Sequence, residues 1–186
     1  MRRMAADRLY RRFTEPVLRE TLADTPAVLI HGPRQCGKTT LAKRVGEARD
    51  YAYFSFDDDV TLAAAKADPV GFVGDLPERV VLDEVQRAPV IFPALKSAVD
   101  RHRTPGRFLL TGSANVLLLP TLADSLAGRL GLLRLHPLAQ CELAGNLERP
   151  VGASGAVVGH QNRLERQKVS HHEHRAVHLA DDLVGD

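Results

Sequence analysis

The sequence predicts an α/β fold in which helices flank both faces of a parallel β-sheet. Short apolar runs alternate with amphipathic segments from about position 26 to position 146, which is the pattern of a sheet with helical crossovers. One run, VVL within RVVLDE, is apolar throughout, as strands buried on both faces are. At 186 residues, the chain is long enough for one domain of ordinary size with a substantial core.

The first strand and the first helix of this region flank a turn rich in glycine. AVLIHG is a short apolar run stopped by Gly32 and Pro33, which predicts a buried strand that ends in a turn. From Lys38 the chain reads KTTLAKRVGEA, with Leu41 and Val45 four residues apart. This spacing predicts an amphipathic helix.

Four further strands and two helices complete the predicted order. YAYFSF predicts the second strand, and TLAAAKA predicts a short helix closed by Asp68 and Pro69. A loop rich in Gly and Pro is expected after it. RVVLDE predicts the third strand, and the segment from Pro89 to His102 predicts a helix. GRFLLTGSAN and LGLLRLHPL predict the fourth and fifth strands.

Composition predicts a soluble protein of the cytoplasm. Hydrophobic residues make up 44% of the chain and charged residues 26%, which is the globular range. No apolar run approaches the length of a membrane span, and the N-terminus lacks the apolar stretch of a secretory signal. Cys36 and Cys141 lie far apart and outside any cluster with metal-ligand spacing, which fits a reducing compartment.

The two ends of the chain differ in texture from the predicted core at 26–146. The segment 1–25 is predicted to be helical and basic, with arginines at positions 2, 3, 8, 11, 12 and 19. A net charge of +2 is too small to imply nucleic-acid binding, so these arginines form either a solvated helix face or a surface for an anionic partner. The segment 147–186 lacks amphipathic pattern, which predicts a disordered tail, and its HHEH stretch matches no recognised metal-ligand spacing.

The strongest chemical signal is HGPRQCGKTT at positions 31–40, which fits the P-loop pattern G-x-x-x-x-G-K-[ST]. A loop between a strand and a helix can curl around a β-phosphate and present several backbone N–H groups to it, and the helix dipole adds to the attraction. Lys38 would reach the β- and γ-phosphates, and the Thr39 hydroxyl would bind Mg2+. The predicted nucleotide-binding residues here are Gly32, Pro33, Arg34, Gln35, Cys36, Gly37, Lys38, Thr39 and Thr40.

Two adjacent carboxylates, Asp83 and Glu84, end the apolar strand RVVLDE. Like charges at the end of a buried strand repel each other and are costly to desolvate, so their presence requires a reason. A bound cation supplies one. Asp83 is predicted to hold Mg2+, and Glu84 is predicted to orient and deprotonate the water that attacks the γ-phosphorus.

Polar residues at the end of the fourth strand, and one arginine after it, complete the predicted site. Thr111, Ser113 and Asn115 follow an apolar run and would lie near the γ-phosphate if their strand sits between those carrying the P-loop and the carboxylates. Arg129, in SLAGR, would contact charge developing on the γ-phosphate of its own or a neighbouring subunit. The alternative for Arg129 is an ordinary solvated or paired surface side chain.

Several ordered segments together resemble one family closely: HGPRQCGKTTL, FSFDDD, VVLDEVQRAP, FPALKSAVD, GRFLLTGSAN, SLAGR and LHPL. They are similar to prokaryotic AAA-superfamily ATP-binding proteins in which a P-loop ATPase core precedes an uncharacterised C-terminal domain with nuclease-like features. The resemblance covers positions 8–147. It implies the additional-strand type of P-loop NTPase, a sheet order of 5-1-4-3-2, adenine as the base, and Glu84 as the hydrolytic glutamate.

The chain departs from this family after the core. Family members continue into a folded C-terminal domain, whereas the segment after Asn146 is short and of unrelated character. We expect that the chain is a truncated product and that its tail is translated out of frame. Another reading frame that restores an apolar pattern past Asn146 would agree with this hypothesis.

Three functional hypotheses follow from these patterns. The first is a Mg2+-dependent ATPase that drives a conformational change on DNA or a protein partner, with assembly into a homo-oligomer and without membrane attachment. The second is a nucleotide-binding module with negligible turnover, and the third is a nonfunctional remnant. Turnover that depends on Glu84 distinguishes the first, and cooperative unfolding at a temperature raised by ATP and Mg2+ would exclude the third.

Overall fold

A computed structural model of the chain describes residues 10–113, 122, 126 and 128–144. Five strands form one sheet, in the order β2-β3-β4-β1-β5, and every pair of neighbours is parallel. The predicted α/β fold class and the predicted strand order are therefore confirmed. The strands are β1 (Ala27–Gly32), β2 (Ala52–Ser55), β3 (Val80–Asp83), β4 (Phe108–Ser113) and β5 (Leu130–Arg134).

In the described part of the chain, helices precede, connect and follow the strands. Two short 3-10 turns, Val85–Arg87 and Pro89–Ile91, follow β3. The α-helices are α1 (Thr14–Asp24), α2 (Lys38–Glu47), α3 (Asp59–Ala67), α4 (Pro69–Gly74), α5 (Phe92–Arg101) and the one-turn α6 (Gln140–Leu143). None of the helices in the described part of the chain is long and apolar enough to cross a membrane.

Apolar side chains bury both faces of the sheet, because successive residues of a strand point to opposite sides. Val28 and Ile30 of β1 pack with residues of α1 and α2, whereas Ala27 and Leu29 pack on the other face, in the cluster that includes residues of α3, α4 and α5. All four residues of β3 are buried, as predicted for a strand covered on both sides. Helix α1 contributes Leu18 and Leu22 to the core, so it packs as part of the domain.

Two local predictions differ from the structure. The segment after Asp68, predicted as a loop, forms α4. The Asp68 carboxylate accepts a hydrogen bond from the Gly71 N–H at 2.9 Å, and Pro69 occupies the first helical turn, where its fixed φ suits a helix. The helix predicted from Pro89 starts at Phe92, because a 3-10 turn takes up the first three residues.

The parallel arrangement brings the predicted site residues to one edge of the sheet. Gly32, the last residue of β1, pairs with Ser113, the last residue of β4. Asp83 ends β3, which is the other neighbour of β4. The carboxyl edge of the sheet therefore carries the P-loop, the acidic pair and the end of β4, as expected for a doubly wound sheet. Asn115 and the predicted tail at 147–186 lie outside the described residues.

Candidate functional site

The P-loop follows β1 in a conformation that only small residues permit at two positions. A Cβ atom added at Gly32 would lie 2.2 Å from the carbonyl oxygen of Leu135, so the backbone of the segment after β5 approaches this residue directly. Gly37 has a left-handed φ of 91° and immediately precedes α2. Left-handed backbone is strained for residues with a Cβ. The close backbone approach and the left-handed conformation therefore explain why both positions of the motif are glycine.

Lys38 and Thr39 open α2 at the carboxyl edge of the sheet. The Lys38 side chain folds back over the loop, and its ammonium donates to the carbonyl oxygens of Gly32 at 3.2 Å and Pro33 at 2.8 Å. It is 6% exposed, so its charge is held beside the loop. The Thr39 hydroxyl donates to the two carboxylate oxygens of Asp83, at 3.0 and 3.1 Å.

The Asp83 carboxylate is buried among hydroxyl groups. Besides Thr39, the Tyr53 hydroxyl donates to it at 2.8 Å, and the Thr111 hydroxyl donates to it from the neighbouring strand. Tyr53 lies on β2 and Thr111 on β4, the two strands that flank β3, and Thr39 lies in α2. Asp83 is only 3% exposed, so these hydroxyl groups supply hydrogen bonds to a carboxylate that water reaches little.

Glu84 leaves the sheet in an unusual backbone conformation. Its φ of 58° and ψ of 47° are left-handed, which costs a residue with a side chain about 1–3 kcal/mol. The Glu84 N–H donates to the Thr111 hydroxyl at 3.1 Å, and the Gln86 amide donates to the Glu84 carboxylate. The same Gln86 side chain accepts from the Ser113 N–H at 3.2 Å. Gln86 thus links the acidic pair to the end of β4.

Thr111 lies against the carboxylates in this structure. Its hydroxyl is fully buried and bridges Asp83 to the Glu84 backbone, so it ties β4 to the two acidic residues at the end of β3. Ser113 contributes its backbone N–H. The predicted loop residues Pro33, Arg34, Gln35 and Thr40 are exposed, whereas Cys36 is buried.

Arg129 lies at the opposite edge of the sheet from the P-loop. It precedes Leu130, which pairs with Ala27 at the start of β1, and its guanidinium forms an ion pair with Asp100 of α5. A strand of 6 residues at about 3.3 Å per residue spans roughly 20 Å. Because β5 runs parallel to β1, the length of the sheet separates Arg129 from the P-loop. Its predicted contacts with the γ-phosphate of its own or a neighbouring subunit both stay predictions.

Burial shifts the pKa of two aromatic side chains near the loop. Burial of the Tyr53 hydroxyl, together with its hydrogen bond to the Asp83 carboxylate, raises the pKa of Tyr53, so the hydroxyl remains a donor. The Lys43 ammonium lies 4.2 Å from the centroid of the Tyr53 ring. Burial lowers the pKa of His31, and the positive charges of Arg134, His136 and Lys38 lower it further.

Sequence reasoning missed four residues that hold this site together: Arg12, Tyr53, Gln86 and Glu142. Arg12 was grouped with a basic segment predicted to face solvent or an anionic partner, yet it is 8% exposed and paired with Glu142. Gln86 could have been included in the predicted site, because it is a polar residue only two positions after the acidic pair. Arg12 and Glu142 are 130 positions apart, and no local pattern connects them.

The sheet order, the loop and the carboxyl-edge acids define a P-loop NTPase of the AAA type. The family of proteins described as "AAA domain" matches residues 24–144. The chain belongs to this family, whose members are P-loop ATPases of the AAA superfamily.

Two curated mycobacterial proteins are similar to the chain. It is 41% identical over 139 residues to the uncharacterized proteins Mb2031c of Mycobacterium bovis and Rv2008c of Mycobacterium tuberculosis. Each match covers 75% of this chain and 30% of the relative, so the chain spans less than a third of their length.

Two solved structures resemble the chain distantly. The cytoplasmic domain of EssC is 15% identical with a TM-score of 0.40, over 61% of this chain and 31% of that one. C. elegans PCH-2 is 17% identical with a TM-score of 0.36, over 70% of this chain and 41% of that one.

Proposed function

We propose that the chain binds ATP together with Mg2+ at the P-loop and hydrolyses the γ-phosphate bond with Glu84. The observation that carries this proposal is the contact between the Thr39 hydroxyl and the Asp83 carboxylate at 3.0 Å. It joins the first turn of α2 to the acidic end of β3. The acid that completes hydrolysis, Glu84, is the next residue along the chain.

Phosphate binding would rest on the loop and on Lys38. The loop joins the end of β1 to the start of α2, where backbone N–H groups and the helix dipole attract anions. The Lys38 ammonium is held by two loop carbonyls, and a nucleotide phosphate would replace these neutral acceptors with charged ones. An anionic acceptor adds the attraction of opposite charges to the hydrogen bond from the ammonium, so the exchange favours binding.

The residues present fit a magnesium ion. Thr39 and Asp83 supply a hydroxyl and a carboxylate within hydrogen-bonding distance of each other, and oxygen ligands are those that Mg2+ takes. In the described part of the chain no group of three His, Cys, Asp or Glu side chains converges, which suits an ion that takes further ligands from water and phosphate. When bound, Mg2+ would neutralise charge on the phosphates.

Hydrolysis would require the Glu84 carboxylate to accept a proton from water. The water oxygen forms a bond to the γ-phosphorus, the bond from that phosphorus to the bridging oxygen breaks, and ADP leaves with the electron pair. Glu84 accepts from Gln86 in this structure, so Gln86 must share or release the carboxylate during turnover. The backbone of Glu84 stays anchored by Thr111.

Paired variants of the 186-residue chain test the proposal. Phosphate release from ATP with Mg2+ and nucleotide affinity are measured on each. Glu84→Gln should abolish turnover and retain binding, whereas Lys38→Ala should weaken both. Glu78→Gln, which changes an exposed carboxylate just before β3, is the matched control and should leave both unchanged. Turnover by Glu84→Gln at the wild-type rate would refute the assignment.

A second candidate is a nucleotide-binding module without significant turnover. Two observations favour it: Gln86 engages the Glu84 carboxylate, and Arg129 lies at the far edge of the sheet. Tight binding of ATP and Mg2+ without phosphate release by the wild-type chain would support this candidate over the ATPase.

We propose that hydrolysis drives a conformational change on a DNA or protein partner, and that Arg129 acts on the nucleotide of a neighbouring subunit. Arg129 would exchange Asp100 for a phosphate across the interface. Mixing Arg129→Ala and Glu84→Gln chains tests this, because a mixed oligomer would regain turnover that neither variant has alone.

A further inference from the structure

Arg12 reaches three segments that are far apart in the chain. Its Nη1 donates to the carbonyl oxygen of Cys36 in the P-loop at 2.7 Å, and its Nη2 donates to the carbonyl oxygen of His136 after β5. Its Nε donates to the Glu142 carboxylate of α6 at 3.2 Å. Arg12 is 8% exposed and Glu142 is 5% exposed, so this ion pair lies inside the domain, directly against the loop.

The Glu142 carboxylate also accepts hydrogen bonds from two backbone N–H groups. One carboxylate oxygen accepts the Phe13 N–H at 2.8 Å, and the other accepts the Ala139 N–H at 2.9 Å. The carboxylate therefore joins the start of α1 to the start of α6 while it neutralises Arg12. A buried ion pair of this kind is costly to desolvate and contributes little net stability, so its position against the loop calls for another explanation.

The contact with Cys36 fixes the orientation of a loop peptide. In a trans peptide the carbonyl oxygen and the following N–H point in opposite directions, and no described peptide bond is cis. Because Arg12 holds the Cys36 oxygen, the Gly37 N–H points away from the guanidinium. A Cβ added at Gly37 would lie 3.3 Å from Arg12 Nη1, so the guanidinium is packed against this peptide and opposes its rotation.

We infer that Arg12 is a positioning residue for nucleotide binding, which orients the Cys36–Gly37 peptide so that the Gly37 N–H faces the β-phosphate, and that Glu142 holds Arg12 in place. This inference rests on the proposed function. It also couples α6 to the nucleotide: an ordered P-loop favours the ion pair, so nucleotide binding and the attachment of α6 stabilise each other.

Affinities for ADP and ATP test the inference, measured on the 186-residue chain by titration. Both nucleotides carry the β-phosphate, so Arg12→Met should weaken both by the same factor, about tenfold for one misdirected charge-assisted hydrogen bond. The kcat at saturating ATP should change by less than about twofold, because the Asp83 and Glu84 side chains are untouched. Arg12→Lys, which keeps a donor near Cys36, should recover part of the affinity.

Two further variants separate this role from general stabilisation. Arg44→Met is the matched control, because Arg44 also ties the N-terminal segment to α2, through Glu15 and the Tyr10 carbonyl, without touching the loop. The double variant Arg12→Met/Glu142→Met leaves no unpaired buried charge and serves if the single variant fails to fold. It should show the same loss of affinity as Arg12→Met, since Glu142 acts through Arg12.

Hydrogen exchange reports on the coupling to α6. The Phe13 and Ala139 amides both donate to Glu142, so saturating ADP should slow their exchange in the wild-type chain and not in Arg12→Met. Wild-type affinity in Arg12→Met, a loss no larger than that of Arg44→Met, or ADP-independent exchange at these amides would overturn the inference. Failure of the wild-type chain to bind ADP or ATP would instead refute the proposed function.

Discussion

Replacing Thr111 with valine isolates the contribution of one buried hydroxyl to the acidic pair. Valine has nearly the same shape and suits a strand, so the change removes hydrogen bonds without leaving a large cavity. The Asp83 carboxylate loses one of its donors, and the Glu84 N–H loses its acceptor. A bond to a charged group contributes about 1.5–3 kcal/mol, and an unsatisfied buried N–H costs about 1–3 kcal/mol.

The two losses partly overlap, because Thr39 and Tyr53 still donate to Asp83. We therefore expect the free energy of unfolding to fall by about 2–3 kcal/mol. For a chain of this size, such a loss lowers Tm by roughly 5–10 °C. Turnover should fall by at least about tenfold at saturating ATP, because a displacement of about 1 Å in a catalytic group costs up to about 100-fold.

Urea titration and calorimetry measure the stability, and phosphate release measures the turnover. The matched control is Thr21→Val in α1, whose residue is 5% exposed and whose hydroxyl donates to the Val17 carbonyl at 2.8 Å. That carbonyl lies within the helix and keeps its backbone bond, so the control should cost less than about 0.5 kcal/mol. Equal effects of the two variants, or full turnover by Thr111→Val, would refute the positioning of Glu84 by Thr111.

Three further variants test other contacts of the site. Gly32→Ala places a Cβ against the Leu135 carbonyl, so the free energy of unfolding should fall by about 1–3 kcal/mol and nucleotide affinity should be lost. In Gly74→Ala the added Cβ has no neighbour within 4 Å, so the same urea titrations should show little change. Equal costs for the two variants would contradict the close approach at Gly32. Tyr53→Phe removes a donor to Asp83 and should raise the Mg2+ concentration for half-maximal turnover by about tenfold; an unchanged Mg2+ titration would exclude this role. Burial lowers the pKa of His31 below its ordinary 6.5. As the pH falls below about 6.5, the unfolded chain therefore takes up a proton before the folded chain does, and the wild type should lose stability. The free energy of unfolding of His31→Gln should depend less on pH in this range, and an identical slope would count against the shift.

Periodicity was sufficient to predict the strands, because each apolar run of this sheet is short and bounded by Gly, Pro or charged residues. VVL in β3 is buried on both faces, which is why this strand is apolar throughout and does not alternate with polar residues. The order of the strands came from the resemblance to a family. Periodicity alone does not determine it, since it contains no information on which strands pair.

The site was predicted where residues lie close in sequence and missed where they converge through the fold. The P-loop and the acidic pair are each contiguous, so a motif reveals them. Tyr53 meets Asp83 only because β2 pairs with β3. Arg12 depends on a partner 130 positions away, and a run of arginines at an N-terminus ordinarily indicates a solvated surface.

The placement of Arg129 shows a further limit of motif reasoning. SLAGR follows β4 and precedes β5, and distance along the chain does not specify the edge of the sheet at which a residue lies. Because β5 is parallel to β1, its first residues lie at the amino edge. A similar limit applies to α4, where a loop was predicted from Gly and Pro and the Asp68 cap formed a helix instead.

Single turnover of bound ATP tests the central claim most directly. The wild-type chain and Glu84→Gln are each mixed in excess with ATP and Mg2+, quenched at intervals, and the ratio of ADP to ATP on the protein is measured. We predict that the wild type converts its bound ATP to ADP and phosphate, while Glu84→Gln binds ATP equally well and keeps it intact. Equal conversion by both chains, or intact ATP on the wild type, would contradict hydrolysis by Glu84.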